Sequence, residues 1–221
     1  MDFRFEDIGP AEVERRISAV EPLTESVRDL VDAVIRTEVD DTALDDARRQ
    51  IDDIVARLRT EEKPGGFGVP FTRDLVGMPW GNAATGVRNA VAPPLRPVTH
   101  AGVSTAEVTL GAAYEGPGGH VHGGVLALLL DQLVGECASS GTSMPHFTGT
   151  LTVRYVRPTK LGQVSLRAEV TGTQDRKAFV SGEIHDSEGV TAEVEAIMIR
   201  PKEFAGRDEV MAAIAEATAR D

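Results

Sequence analysis

GPGGHVHGGVLALLLDQLVGECA, residues 116–138 of a 221-residue chain, decides how the rest is read. Its first nine residues, from Gly116 to Gly124, form a glycine loop that delivers unencumbered backbone N–H groups to the start of a helix. Such a terminus is a ready site for an anionic or carbonyl oxygen. The remainder, Gly124 to Ala138, is apolar nearly all the way round and predicts a helix buried on most sides. A curved sheet wrapping it is the economical way to cover it. Asp131 sits inside this run, where a carboxylate must be hydrogen-bonded or face a cavity. It is a candidate general base or nucleophile, and equally a candidate structural acid.

The flanks supply the sheet. Ala106, Val108, Leu110, Ala112 and Tyr114 alternate with polar residues before the loop. After the helix the same period of two returns in Leu151/Val153/Tyr155, Val164/Leu166/Ala168/Val170, Ala178/Val180/Ile184 and Val190 to Met198. Five strands are expected. Turn signals at Gly172–Asp175 and Asp186–Gly189 make the last three an antiparallel meander. In the strand that begins near Phe147, the apolar set is Phe147, Leu151, Val153 and Tyr155, so Thr148 is expected with Thr150 and Thr152 on the opposite, polar face. A hydroxyl there can orient water or a carboxylate, although threonine is also simply a good strand former.

Distance argues for two copies. Gly123 and Asp131 lie roughly 12 Å apart along one helix, whereas a reacting carbonyl must sit about 3 Å from both its donor and its nucleophile. Two antiparallel helices across a two-fold axis would place Asp131 of one copy beside the Gly123 amide of the other.

His122-Gly123-Gly124, Asp131 nine residues after His122, and the strand end TGTLTVRYVRP at 148–158 together resemble the hotdog-fold acyl-CoA thioesterases, most closely the phenylacetate-pathway (PaaI-like) and human-type superfamily members. The resemblance spans about residues 98–200. It implies an α+β hotdog fold, an antiparallel sheet wrapped around a long central helix, dimerised or paired into a dimer of dimers with acyl-CoA sites at the interface. Carried over, the Gly123 amide would polarise the thioester carbonyl, with Gly124 beside it in contact with substrate. Asp131 of the partner chain would be base or nucleophile, Thr148 would hold the attacking water, and His122 would shape the loop. Arg157, Lys160, Arg176 and Lys177 are the basic residues at strand ends and turns where family members bind the coenzyme phosphates; each alone also reads as a solvated charge. No cofactor is implied, because coenzyme A is part of the substrate. Several relatives carry Asn or Gln six residues before the motif histidine, where this chain has Gly116.

Outside the 98–200 unit, residues 1–63 read as a helical extension, 64–97 as an irregular linker with the only tryptophan, Trp80, and 201–221 as a C-terminal helix carrying Val210, Ala213, Ile214 and Ala217. Val27, Leu30, Val31, Val34 and Ile35, and then Leu44 to Leu58, fall at helical spacing, with Thr42 and Asp45 as a capping pair for the second helix.

Composition narrows the partners. The net charge is -12, and residues 1–63 hold 18 Asp/Glu against 10 Lys/Arg, so two-thirds of the acidity lies outside the glycine-loop unit. Nucleic acid is not expected, since phosphate binding needs clustered Lys/Arg. A single cysteine, Cys137, leaves no disulfide framework and fits a reducing, cytoplasmic setting. Val125 to Leu130, the longest apolar run, is too short to span a membrane. Three other readings compete. His120-x-His122 with His146 offers the start of a metal site, but lies in a glycine loop without further ligands. An acyl-CoA-binding sensor or carrier of the same fold would not need Asp131. A hydratase would need a His/Asp or His/Glu arrangement not seen at suitable spacing.

Overall fold

The alternating strands and the apolar helix assemble as their patterns require. The computed structural model describes residues 4–72, 74, 76–142 and 145–202; the C-terminal helix expected over 201–221 lies outside the described residues from 203 onward. Among the described residues there are eight strands: β1 (Phe5–Glu6), β2 (Phe71–Thr72), β3 (Val98–His100), β4 (Val103–Leu110), β5 (Phe147–Tyr155), β6 (Gly162–Gln174), β7 (Lys177–Asp186) and β8 (Gly189–Ile199). Three α-helices accompany them there: α1 (Pro10–Arg36), α2 (Asp41–Leu58) and α3 (Gly123–Thr142).

Six strands form one antiparallel sheet in the order β3-β4-β6-β7-β8-β5, and β1 pairs with β2 in a separate parallel couple. The sheet wraps α3, as the hotdog architecture demands. On α3, Leu126, Leu129, Leu130, Leu133, Val134 and Cys137 are buried. Every second residue of the strands meets them: Ala106, Val108 and Leu110 from β4, Val164, Leu166 and Ala168 from β6, Val180 and Ile184 from β7, and Ala192 to Met198 from β8. The face of α3 that carries Leu128, Asp131, Gln132 and Gly135 is left half-buried, and β5 lies at the sheet edge with one side unpaired.

Several expectations shift. The sheet has six strands rather than five: β3 was hidden because it is three residues long and turns into β4 through Ala101 and Gly102, both at positive φ (49° and 79°). β4 stops at Leu110, and Ala112–Tyr114 form a 3-10 turn instead of continuing the strand, because the Tyr114 carbonyl turns to accept the His122 N–H. The β6–β7 turn is at Asp175–Arg176, with Asp175 at φ 54°, since a bulge between Val170 and Gly172 keeps Gly172 inside the strand. On α2, Asp40 rather than Thr42 is the cap, accepting from the Ala43 N–H at 2.9 Å. α2 buries none of its residues. The irregular 64–97 segment buries Met78, Trp80, Ala84 and Ala92, and its Leu95 joins the central core.

One ion pair ties the loop after β5 to the β7–β8 turn. The Arg157 guanidinium spans both Asp186 oxygens, one at 3.0 Å, and donates to the Gly189 carbonyl at 3.0 Å. The Asp186 side chain is only 4% exposed. That contact holds its carboxyl well below the ordinary 3.8, at about 2.

Two consequences can be measured. Leu133→Ala, which empties a fully buried position facing the sheet, should cost about 2–5 kcal/mol in urea denaturation. A carboxyl whose pKa is depressed by folding stabilises above its unfolded value and ceases to do so as pH falls through its folded one. The stability advantage of wild type over Asp186→Asn should therefore be full above pH 4 and shrink between pH 4 and pH 2, as followed by thermal melts.

Candidate active site

The glycine loop is fixed by backbone hydrogen bonds before any side chain enters. Val121 N–H donates to the Thr159 carbonyl (2.9 Å), Leu161 N–H to Gly119 (3.1 Å) and His122 N–H to Tyr114 (2.9 Å). α3 then begins with four N–H groups that have no partner within the helix. Val125 and Leu126 donate to the His122 carbonyl (2.9 and 3.3 Å), and Gly124 donates to His122 Nδ1 (3.0 Å). Among the described residues, Gly123 is left as the one N–H of that turn without an acceptor. His122 therefore caps the helix with its ring as well as its backbone, and Nδ1 must be unprotonated to do so.

Close contacts explain the glycines at two positions. A Cβ at Gly123 would stand 3.3 Å from the Tyr155 ring, whose hydroxyl donates to the Gly123 carbonyl at 2.8 Å. At Gly116 it would stand 2.8 Å from His122 Cα, so the loop as folded has no room for a side chain there.

Two turns along α3, Asp131 is half-buried and its Oδ1 accepts from the Thr148 hydroxyl at 2.8 Å. This contact corrects the expected facing of Thr148. A bulge at Gly149 leaves Thr148 opposite Met198 and Thr150 opposite Ile197. Thr148 thereby joins Leu151, Val153 and Tyr155 on the inner face, while Thr150 and Thr152 point outward. A single extra residue turns a surface threonine into a partner of the helix carboxylate. Gly149 permits it: a Cβ there would lie 2.5 Å from Ile199 Cδ1 and 3.1 Å from the Ile197 carbonyl.

The cleft beside Asp131, about 340 Å3, is lined also by Gln132, Gly135, His146, Phe147 and Asn82. Asn82 comes from the irregular segment and was not singled out from sequence. Its Nδ2 donates to Gln132 Oε1 (3.1 Å), and Gln132 donates in turn to Glu136 (2.9 Å). The signal that could have found it is the Asn82-x-Ala84-Thr85 turn, whose amides both bind Asn82 Oδ1 and aim its NH2 outward.

The four basic residues do not form one cluster within a chain. Arg157 is engaged with Asp186, and Lys160 with Glu188, at the end of β7 near the glycine loop. Arg176, which donates to the Arg200 carbonyl at 2.8 Å, and Lys177 stand at the other end. The ten residues of β7 put roughly 30 Å between the two pairs. His120 binds the Gly118 carbonyl through Nδ1 (2.9 Å). Among the described residues no group of three or more His, Cys, Asp or Glu is arranged to hold a metal ion, and no helix is long and apolar enough to cross a membrane.

Comparison with known proteins gives this geometry a lineage. Residues 118–193 match the family model of the thioesterase superfamily. A thioesterase superfamily protein of known crystal structure is 29% identical over 88% of this chain and 98% of its own, with a TM-score of 0.73. A conserved protein of Pseudomonas aeruginosa is 25% identical over 49% of this chain and 90% of its own, TM-score 0.46. The E. coli PaaI protein from the phenylacetic acid degradation operon is 18% identical over 49% and 80%, TM-score 0.46. Residues 118–193 thus match the thioesterase superfamily, and the sheet and helix in which they lie have the hotdog fold.

Proposed function

We propose that the protein is an acyl-CoA thioesterase working as a homodimer, with each site divided between two chains. The observation that carries this reading is the Thr148 to Asp131 hydrogen bond, made possible by the bulge at Gly149. It leaves Oδ2 of the carboxylate open toward the cleft to take a proton from water. Thr148 holds the carboxylate and the water in register. The unpaired Gly123 N–H, at the positive end of α3, meets the carbonyl oxygen as charge develops on it. Water adds to the carbonyl carbon, Asp131 takes its proton, and the tetrahedral oxyanion collapses to free acid and the coenzyme thiolate.

β5 supports the dimer. It is an edge strand whose outer side is unpaired, and such an edge is a template for a second strand. Thr148 and Asp131 lie at its start; Tyr155 and Gly123 lie at its end. A two-fold axis through the middle of β5 pairs start with end, bringing Asp131 against the partner's Gly123. The same operation unites the separated basic pairs, Arg176 and Lys177 of one copy with the partner's Arg157 and Lys160. Coenzyme phosphates would then find at the interface the positive charge that one chain spreads over two ends.

Thiol release from a panel of short, medium, long and aryl acyl-CoAs tests the activity. Asp131→Asn should lower kcat about 100-fold or more, and Thr148→Val about tenfold. Gly123→Pro removes the N–H at a helix position tolerant of proline and should cost about 100-fold, whereas Gly123→Ala sets the same Cβ against the Tyr155 ring but keeps the N–H and should cost far less. No hydrolysis of any substrate by wild type, with tight acyl-CoA binding, would replace this reading with that of a sensor.

A further inference from the structure

A second cavity lies outside the sheet-and-helix unit. α1, the turn after α2 and the segment from Gly65 to Ala90 enclose an open groove of about 940 Å3, within the ~300–1,000 Å3 of small-molecule pockets. Val20, Leu23 and Val27 of α1 and Leu58 of α2 line it above Met78 and Trp80. Leu23, Val27 and Leu58 are 42%, 37% and 53% exposed, so this apolar wall is open to solvent.

Two cations stand beside its aromatic pair. Phe67 and Trp80 stack with ring centroids 5.9 Å apart. Lys63 Nζ lies 4.9 Å from the Phe67 centroid, and the Arg88 guanidinium lies 5.6 and 5.7 Å from Phe67 and Trp80. The other cations of the wall are matched, Arg15 by Glu12 and Arg16 by Glu6 and Glu12. Lys63 and Arg88 have no ion pair among the described residues. Of the nearby carboxylates, Glu6 is held by Arg4 and Arg16 and Glu62 faces Arg59 at 3.9 Å, which leaves Glu61 against two cations. The wall therefore offers Lys63 and Arg88, beside an apolar surface, to an anionic head.

We propose that this groove binds a free fatty carboxylate, its head on Arg88 and Lys63 and its chain along Val20, Leu23 and Val27. Arg88 offers the fork that a carboxylate takes with two hydrogen bonds. From Arg16 to Val27 the α1 wall runs about 16 Å, long enough for an extended chain of about a dozen carbons. The binding does not depend on thioester hydrolysis.

Trp80 is the only tryptophan and reports on the groove directly. The full chain is titrated with sodium dodecanoate below its micellar concentration, following tryptophan fluorescence. A saturable change is expected for wild type and, superimposable with it, for Asp131→Asn, whose substitution lies in the other cleft. Lys63→Glu with Arg88→Gln should weaken binding at least tenfold, and Leu23→Glu should do the same by placing a charge in the path of the chain. All three side chains are exposed, and unchanged circular dichroism would show the fold intact. Dodecanol and acetate, each lacking one half of the ligand, should bind at least tenfold more weakly. The proposal is overturned by absence of a saturable change, by equal affinity for dodecanol, by indifference to both variants, or by loss of the signal in Asp131→Asn.

Discussion

A helix as apolar as α3 must be covered, and the sheet covers all of it but one stripe. Everything else follows from that incomplete burial. The six strands curve because their inner residues must reach three sides of α3. The open stripe holds Asp131, which is half-buried, hydrogen-bonded to Thr148 and turned toward a cleft rather than toward the core. The start of the same helix holds an N–H that no neighbour accepts from among the described residues. A rigid helix keeps these two groups about 12 Å apart. No side-chain rotation closes that gap, so the proposed mechanism takes its donor and its base from two helices.

Much of this was legible in the chain. A loop rich in glycine, an apolar helix interrupted by one carboxylate, and strands of period two specify the sheet-and-helix architecture through burial alone, which is a local property of each residue. What escaped depended on single-residue irregularities. The facing of Thr148 follows from parity along a strand, and one bulge at Gly149 reverses parity without disturbing the hydrophobic pattern after it. The same is true at Gly172, which reads as a turn and is a strand residue beside a bulge. β3 is too short to show a period. The four basic residues are neighbours in pairs along the chain, yet the length of β7 separates the pairs. Asn82 reaches the cleft from a segment with no periodicity at all.

The N-terminal helices change the character of the molecule rather than its central fold. Residues 1–63, which contain them, carry two-thirds of the net charge, and the apolar residues of α2 remain largely exposed. α1 is fastened by Arg28, which donates to the Asn89 and Ala92 carbonyls (3.0 and 3.3 Å), and by the pairing of Glu21 with Arg96. Thus α1 and the irregular segment form one wall, and Asn82 on that segment touches the Asp131 cleft. The acidic total is therefore compatible with an anionic substrate, because the charge and the cleft occupy different elements.

Division of the site between two chains is the central claim, and mixing two inactive variants tests it most directly. Gly123→Pro lacks the carbonyl donor and Asp131→Asn lacks the base, so each alone has two defective sites per dimer. Co-refolded in equal amounts, half of the dimers are mixed, and each mixed dimer has one site with both groups intact. Activity should return to about a quarter of the wild-type rate. If the mixture stays as inactive as its components, donor and base belong to the same chain and the account is wrong.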